Sequence, residues 1–253
     1  MMILGVLQAR VSSSRLPGKV LAPILGRAMI LRQIERLSRC RRLDRLVVAT
    51  SADPSDDALA EVCAAEGIAV SRGSLDDVLT RVLAAARPHA PDWLVRLTGD
   101  CPLADPAVID RVIEATLAAD VDYGTNAVEP TWPDGLDVEV VRMAVLKAIA
   151  AEPRTTAERE HVTLAIHRRP DRFRLLHVKG EADLSHLRWT VDEPRDLDLV
   201  RRIYGALYPV DPAFDTAAIL ELLARQPELV TLNRDIVRNE GLAKSLAAER
   251  PAD

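Results

Sequence analysis

Short apolar runs alternate with amphipathic stretches through the first half of the chain, a rhythm that predicts strands and helices in turn. Ile3 to Leu7 is a continuous apolar run of strand length, and Ala28 to Ser38 carries Ile30, Leu31, Ile34 and Leu37 at helical spacing. Leu46 to Ala49 predicts a second buried strand, followed by a helix that Asp53 caps and Pro54 opens. Ile68 to Val70 reads as a third strand, Asp77 to Ala86 as a helix, and Trp93 to Leu97 as a fourth strand ending in Thr98, Gly99 and Asp100. A further helix runs from Asp105 and Pro106 to about Leu117. Strands and helices alternating at this pitch imply a parallel sheet covered by helices.

The second half is less regular. Tyr123 to Ala127 predicts a strand, and Gly135 to Val141 alternates strictly, with Leu136, Val138 and Val140 on one face and Asp137 and Glu139 on the other, as in a half-exposed strand. Thr155 and Glu158 form a capping-box signature for a helix through His167. Arg174 to Val178 and Leu187 to Val191 read as strands. A helix starts at Asp192, Glu193 and Pro194 and continues through Tyr204, and the stretch from Asp215 onward is largely helical. No repeat or linker divides the 253 residues, so one domain is expected over 1–253. Within it, 118–190 is expected as an inserted region facing the substrate or a dimer partner, and 213–253 as a helical tail.

Composition narrows the class. With 48% apolar and 28% charged residues the chain reads as an ordinary soluble globule. Aromatic residues make up 3% and the net charge is -5, which argues against base-stacking platforms and against a grip on a nucleic-acid backbone. Cys40, Cys63 and Cys101 are odd in number and widely spaced, so neither a disulfide framework nor a zinc site is expected. No signal-peptide pattern or membrane-length apolar run is seen, and a cytoplasmic protein without membrane contact is expected.

Against that acidic background, Gln8 to Lys19 (QARVSSSRLPGK) places Arg10, Arg15, Lys19 and three serines in the loop after the first strand. Ligands of open α/β sheets bind beyond the carboxyl ends of the strands, so these groups would face the crevice and suit a polyanion. The stretch is not a nucleoside-triphosphatase P-loop, since Gly18-Lys19 is followed by Val20, and no dinucleotide fingerprint is present. Asp100 and Asp192 each end a predicted strand. Each has a plain structural role available, a turn for Asp100 and a helix cap for Asp192. Facing one crevice together, they would suit Mg²⁺, which takes one or two protein carboxylates plus phosphate oxygens. Arg72 ends the third strand within reach of a nucleotide. Asp134, Asp137 and Glu139 form an acidic face able to bond a polyol, and Glu158 and His161 open a helix that could meet the same substrate. Asp120 and Asp122 match the D-x-D pattern of metal-dependent glycosyltransferases, although acidic residues are expected where a helix ends and a strand begins.

QARVSSSRLPGK (8–19), RLTGDCPL (96–103), PDGLDVEV (133–140), EREHVT (158–163) and RWTVDEPRDL (188–197) occur in this order, followed by NRDIVRNEGL (233–242). Together they resemble the spore-coat-polysaccharide branch of the cytidylyltransferases, relatives of the enzymes that activate acylneuraminates and 3-deoxy-manno-octulosonate. The resemblance covers nearly the whole chain and implies a three-layer α/β/α fold, of the nucleotide-diphospho-sugar transferase type, with a mostly parallel sheet. It implies transfer of CMP from CTP to a sugar acid or phosphorylated acceptor, with Mg²⁺ and release of pyrophosphate. Carried over, Arg15, Lys19 and Asp100 would be catalytic, and Ala9, Arg10, Ser14, Arg15, Lys19, Arg72 and Thr98 would bind the nucleotide. Asp100 and Asp192 would hold the metal, and Asp134, Asp137, Glu139, Glu158 and His161 would face the acceptor. The expected assembly is a homodimer. Another sugar-nucleotide enzyme, uridylyl- or guanylyltransferase or glycosyltransferase, and a non-catalytic nucleotide-binding protein are the rival readings.

Overall fold

The first apolar run becomes β1 (Ile3–Gln8), which lies in the interior of a seven-stranded sheet. The computed structural model describes residues 1–152, 154–238 and 240–248. Strands β2 (Arg45–Ser51), β3 (Val70–Gly73) and β4 (Trp93–Thr98) follow, then β5 (Tyr123–Thr125), β6 (Glu139–Arg142) and β7 (Leu175–His177). The order across the sheet is β3-β2-β1-β4-β6-β5-β7. All neighbours are parallel except at β6, which runs antiparallel to both β4 and β5.

The pleat sends alternate residues of β1 to opposite faces: Leu4 and Val6 join one apolar cluster, Ile3 and Leu7 the other. The Ile3 side is covered by α1 (Met29–Leu37), α2 (Asp57–Ala65), α4 (Pro106–Ala118), α8 (Pro194–Leu207) and α9 (Thr216–Arg225). The Leu4 side is covered by α3 (Val78–Ala86), α5 (Met143–Ala150) and α7 (Leu164–His167). The result is the expected three-layer α/β/α fold. Two further helices, α6 (Thr156–Glu160) and α10 (Glu240–Ala247), border the crevice at the carboxyl edge. Residues 118–190 contribute β5, β6 and β7 to the same sheet. The described part of 213–253 is mainly helical, and residues 239 and 249–253 lie outside the described residues.

Register sets the working edge. Gln8 pairs with Ala49 on one side and Thr98 on the other, so the loops after β1, β2 and β4 emerge together. The Gly99 N–H donates to the Gln8 carbonyl at 2.8 Å, and a Cβ at Gly99 would lie 2.7 Å from that of Ala9. Only glycine lets these two loops approach so closely.

Several local expectations differ from the structure. Leu187 to Val191 forms no ladder; a single bridge joins Arg188 to Asp134, and the segment hangs instead on the carbonyls of Asp134 and Asp100. The strand expected over Gly135 to Val141 pairs only over β6, and it is buried on both faces rather than half-exposed. The helix expected through His167 breaks into α6 and α7, because Val162 takes φ 23° and turns the chain. Before α2 the chain makes a 3₁₀ turn over Pro54–Asp56. The cap of α8 is Glu193, reciprocated by Asp196, which leaves Asp192 outside the helix.

A methyl group on Gly124 of β5 would overlap the Thr116 hydroxyl of α4. Gly124→Ala is therefore expected to destabilise the fold by about 1–3 kcal/mol. The check is a lower urea midpoint with an unchanged slope.

Candidate active site

The loop after β1 is shaped by its own backbone and by one buried carboxylate. The Gly18 N–H donates to the Val11 carbonyl at 3.0 Å, with Gly18 itself at φ 74°, the left-handed turn that favours glycine. Asp56, fully buried, accepts from the Val11 N–H at 2.6 Å and from the backbone and hydroxyl of Ser51. The loop is thereby tied to β2. Lys19 follows Gly18 in a 3₁₀ turn and points inward.

Three distant segments meet at the Lys19 ammonium. It donates to the Val191 carbonyl at 2.7 Å, to Asp192 at 2.9 Å and to Asp100 at 3.3 Å. Burial opposes its charge, but the two carboxylates prevail and its pKa is raised. Burial likewise works against the Asp100 carboxylate, yet Lys19 and hydrogen bonds from Thr98 and Cys101 hold it down at about 2. Arg15 pairs with Asp192 at 2.9 Å from the other side.

Asp192 is positioned from behind by Arg188, which donates to it at 3.0 Å, to Asp134 at 2.8 Å and to Asp196 at 3.0 Å. Asp196, fully buried, also accepts from the backbone N–H groups of Asp192 and Glu193 at 2.9 Å and from Asn233 at 2.8 Å. The Val191 N–H donates to the Asp100 carbonyl at 2.8 Å, which locks the two aspartates into register.

Around this knot opens a cavity of about 540 Å³, lined by the loop after β1, the ends of β1 and β4, α3, α6 and α10. Arg96 forms part of its wall, held by Gln8 at 2.9 Å and by a close ion pair with Glu139. A crevice with cations on one lip and two paired carboxylates at its floor suits a nucleoside triphosphate and a divalent metal. Among the described residues no cluster of three or more metal-ligating side chains exists, so the metal would draw its other donors from phosphate and water. Asp100 and Asp192 fit that demand, since both already converge on a cation.

Residues 4–229 match the cytidylyltransferase family. The spore coat polysaccharide biosynthesis protein of Bacillus subtilis is 32% identical over 238 residues, covering 90% of this chain and 97% of that protein. The chain belongs to the cytidylyltransferase family. A cytidylyltransferase from Leptospira borgpetersenii superposes on this cytidylyltransferase with a TM-score of 0.86 at 29% identity, over 91% of this chain and 97% of that one. A CMP:2-keto-3-deoxy-manno-octonic acid synthetase complexed with CTP shares the fold, with a TM-score of 0.63 at 19% identity over 81% and 99% of the two chains. This cytidylyltransferase is accordingly a CTP-dependent nucleotidyltransferase.

Ala9, Arg10, Ser14, Arg15, Lys19, Thr98, Asp100, Asp192 and His161 all line the cytidylyltransferase's cavity. Arg72 does not. Its guanidinium is tied to the carbonyls of Ser51 and Asp53 and to Asp57, where it braces the turn after β2. The acidic residues assigned to the acceptor are likewise spent on internal partners, apart from His161. Asp134 bonds Arg188, Asp137 bonds Arg238, and Glu139 is buried among Arg96, Tyr123 and Thr163. Glu158 closes its capping box with Thr155 and pairs with Arg169 at 3.2 Å. Asp120 and Asp122 pair with Arg142 and Arg174 away from the cavity lining, so the D-x-D pattern has no part in the site. Burial pushes the Cys101 thiol well above its ordinary pKa, so it offers no thiolate nucleophile beside Asp100.

Sequence reasoning missed Asp56, Arg81, Lys244 and Ser245. Asp56 carries no motif, and the contribution of α10 depends on the path of the chain after 230. Removing Arg188 would leave Asp134, Asp192 and Asp196 facing one another without their shared cation. Arg188→Met is expected to cost about 3–5 kcal/mol, measured by equilibrium unfolding in guanidinium chloride.

Proposed function

We propose that the cavity binds CTP with its triphosphate against the loop from Gln8 to Lys19, and that the cytidylyl group passes to an oxygen of a sugar acid or phosphorylated acceptor with release of pyrophosphate. The observation that carries this reading is the convergence of Lys19, Asp100 and Asp192 at the floor of the family-matched cavity. Arg10 and Arg15 offer planar guanidinium forks to phosphate oxygens, and Lys19 adds a point charge beside them. Ser14 and the loop N–H groups supply neutral donors. Phosphoryl-group transfer of this kind asks for positioning and charge neutralisation more than for covalent work by the protein.

Asp100 and Asp192 are the residues that would hold Mg²⁺. When bound, Mg²⁺ neutralises charge on the triphosphate and on the departing pyrophosphate. Lys19 holds both carboxylates toward the same point, Arg15 bonds Asp192 from the other side, and Arg188 fixes the rotamer of Asp192. A phosphorylated acceptor attacks as an anion and needs no base. For a hydroxyl acceptor His161 is the candidate to take the proton, since it lines the cavity and burial lowers its pKa against the opposing pull of Glu160. The likeness to a spore coat polysaccharide biosynthesis protein supports a role among the steps that activate a sugar for a surface polysaccharide.

Lys19→Ala and Asp100→Ala are each expected to lower CTP-dependent pyrophosphate release by about 10²-fold or more. Circular dichroism and the thermal midpoint report whether each variant is folded. EDTA is expected to abolish turnover and excess Mg²⁺ to restore it. Wild-type rates in either folded variant would refute the assignment.

A further inference from the structure

Helix α10 crosses the mouth of the cavity and contributes Gly241, Lys244 and Ser245 to its lining. It is docked at both ends by polar contacts. At its start Glu240 accepts from Arg15 of the phosphate loop at 2.5 Å. In its last turn the Ser245 hydroxyl donates to Glu160 at 2.7 Å and lies 3.0 Å from His161 Nε2. No side chain of α10 is fully buried, so the helix is held by bonds that a substrate can exchange rather than by an apolar plug.

The chemistry facing inward is donor-rich. Glu240 is shared between Arg15 and Lys244, the latter at 2.7 Å, so one carboxylate serves two cations. Lys244 keeps a largely exposed side chain and lines the same cavity as His161 and Arg96. Ser245 lies in the last turn of α10, beside α6, and neither it nor Lys244 contacts Asp100 or Asp192 directly; the link from Lys244 to that pair runs through Glu240 and Arg15.

Resting on the reading of this cavity as the site of CMP transfer, we propose that α10 is the acceptor-facing wall and that Lys244 and Ser245, with His161, recognise an oxyanion on the acceptor. The shared chemistry is a carboxylate or a phosphomonoester. Lys244 supplies a mobile charge, and Ser245 and His161 supply directional hydrogen bonds whose present partners are each other and Glu160.

The test uses the full chain with Mg²⁺ and CTP and follows pyrophosphate release with three acceptor probes. These are 2-keto-3-deoxy-manno-octonic acid for a sugar acid, ribose 5-phosphate for a phosphomonoester and N-acetylglucosamine for a neutral sugar. Turnover is expected with one of the two anionic probes, and which one identifies the source of the oxyanion. With that probe, Lys244→Met and Ser245→Ala should each raise the acceptor KM about tenfold, the size of one lost charge-assisted bond, while the KM for CTP stays within about twofold. Lys244→Arg should recover most of the loss. An unchanged acceptor KM in both variants, or turnover with the neutral sugar alone, overturns the role of α10 and leaves CMP transfer standing. No release with any probe overturns the transfer reading and this inference together.

Discussion

One ammonium group holds the working edge of this cytidylyltransferase together. Lys19 ties the loop after β1 to Asp100 after β4 and to Val191 and Asp192 before α8, three segments that the Gly99–Gln8 and Val191–Asp100 backbone bonds also draw together. Two carboxylates brought that close repel unless a cation stands between them. The fold supplies Lys19 in front and Arg188 behind, so the two carboxylates are held side by side in a partly buried crevice. The same arrangement makes the edge receptive to a cation-bearing polyanion, because every anion there is already matched by a group able to trade partners.

The layered fold was legible because its signals are local. Apolar runs at Ile3, Leu46 and Trp93, and the Pro-opened helices at Pro106 and Pro194, mark the starts of β1, β2, β4, α4 and α8 within a residue or two. The nucleotide half of the site was legible for a related reason: its groups sit in short strand-to-helix loops whose position follows from the sheet alone. Leu187 to Val191 failed as a strand because apolar alternation records burial, not ladder pairing. Here Leu187, Trp189 and Val191 are buried in the apolar cluster on the Ile3 side, while the segment's N–H groups bond the Asp100 and Asp134 carbonyls instead of a strand.

The acidic stretch expected to face an acceptor was read as exposed through the same ambiguity. Asp137 and Glu139 alternate with apolar neighbours as a solvated strand face would, yet both face internal arginines. Burial, with Asp134 and Glu139 close by, raises the Asp137 carboxyl to about 7 against the pull of Arg238. A period of two cannot tell water from a buried guanidinium. Arg72 misled in the opposite way, since an arginine at a strand end is equally suited to brace a turn, and the carbonyls of Ser51 and Asp53 claimed it.

The place of β1 in the sheet bears on how the molecule assembles. The first strand in chain order sits between β2 and β4, and the other strands lie farther out on both sides. Lys19 and Asp192 are separated by 173 positions, so the knot cannot close until the chain has been made through Asp192. Contacts of such long range form slowly and late. During synthesis β1 waits with both hydrogen-bonding edges open until β2 and β4 arrive, and its apolar faces stay exposed for that interval. Catalytic competence therefore reports that the last contact has formed, whereas sheet content by circular dichroism reports only that the centre has.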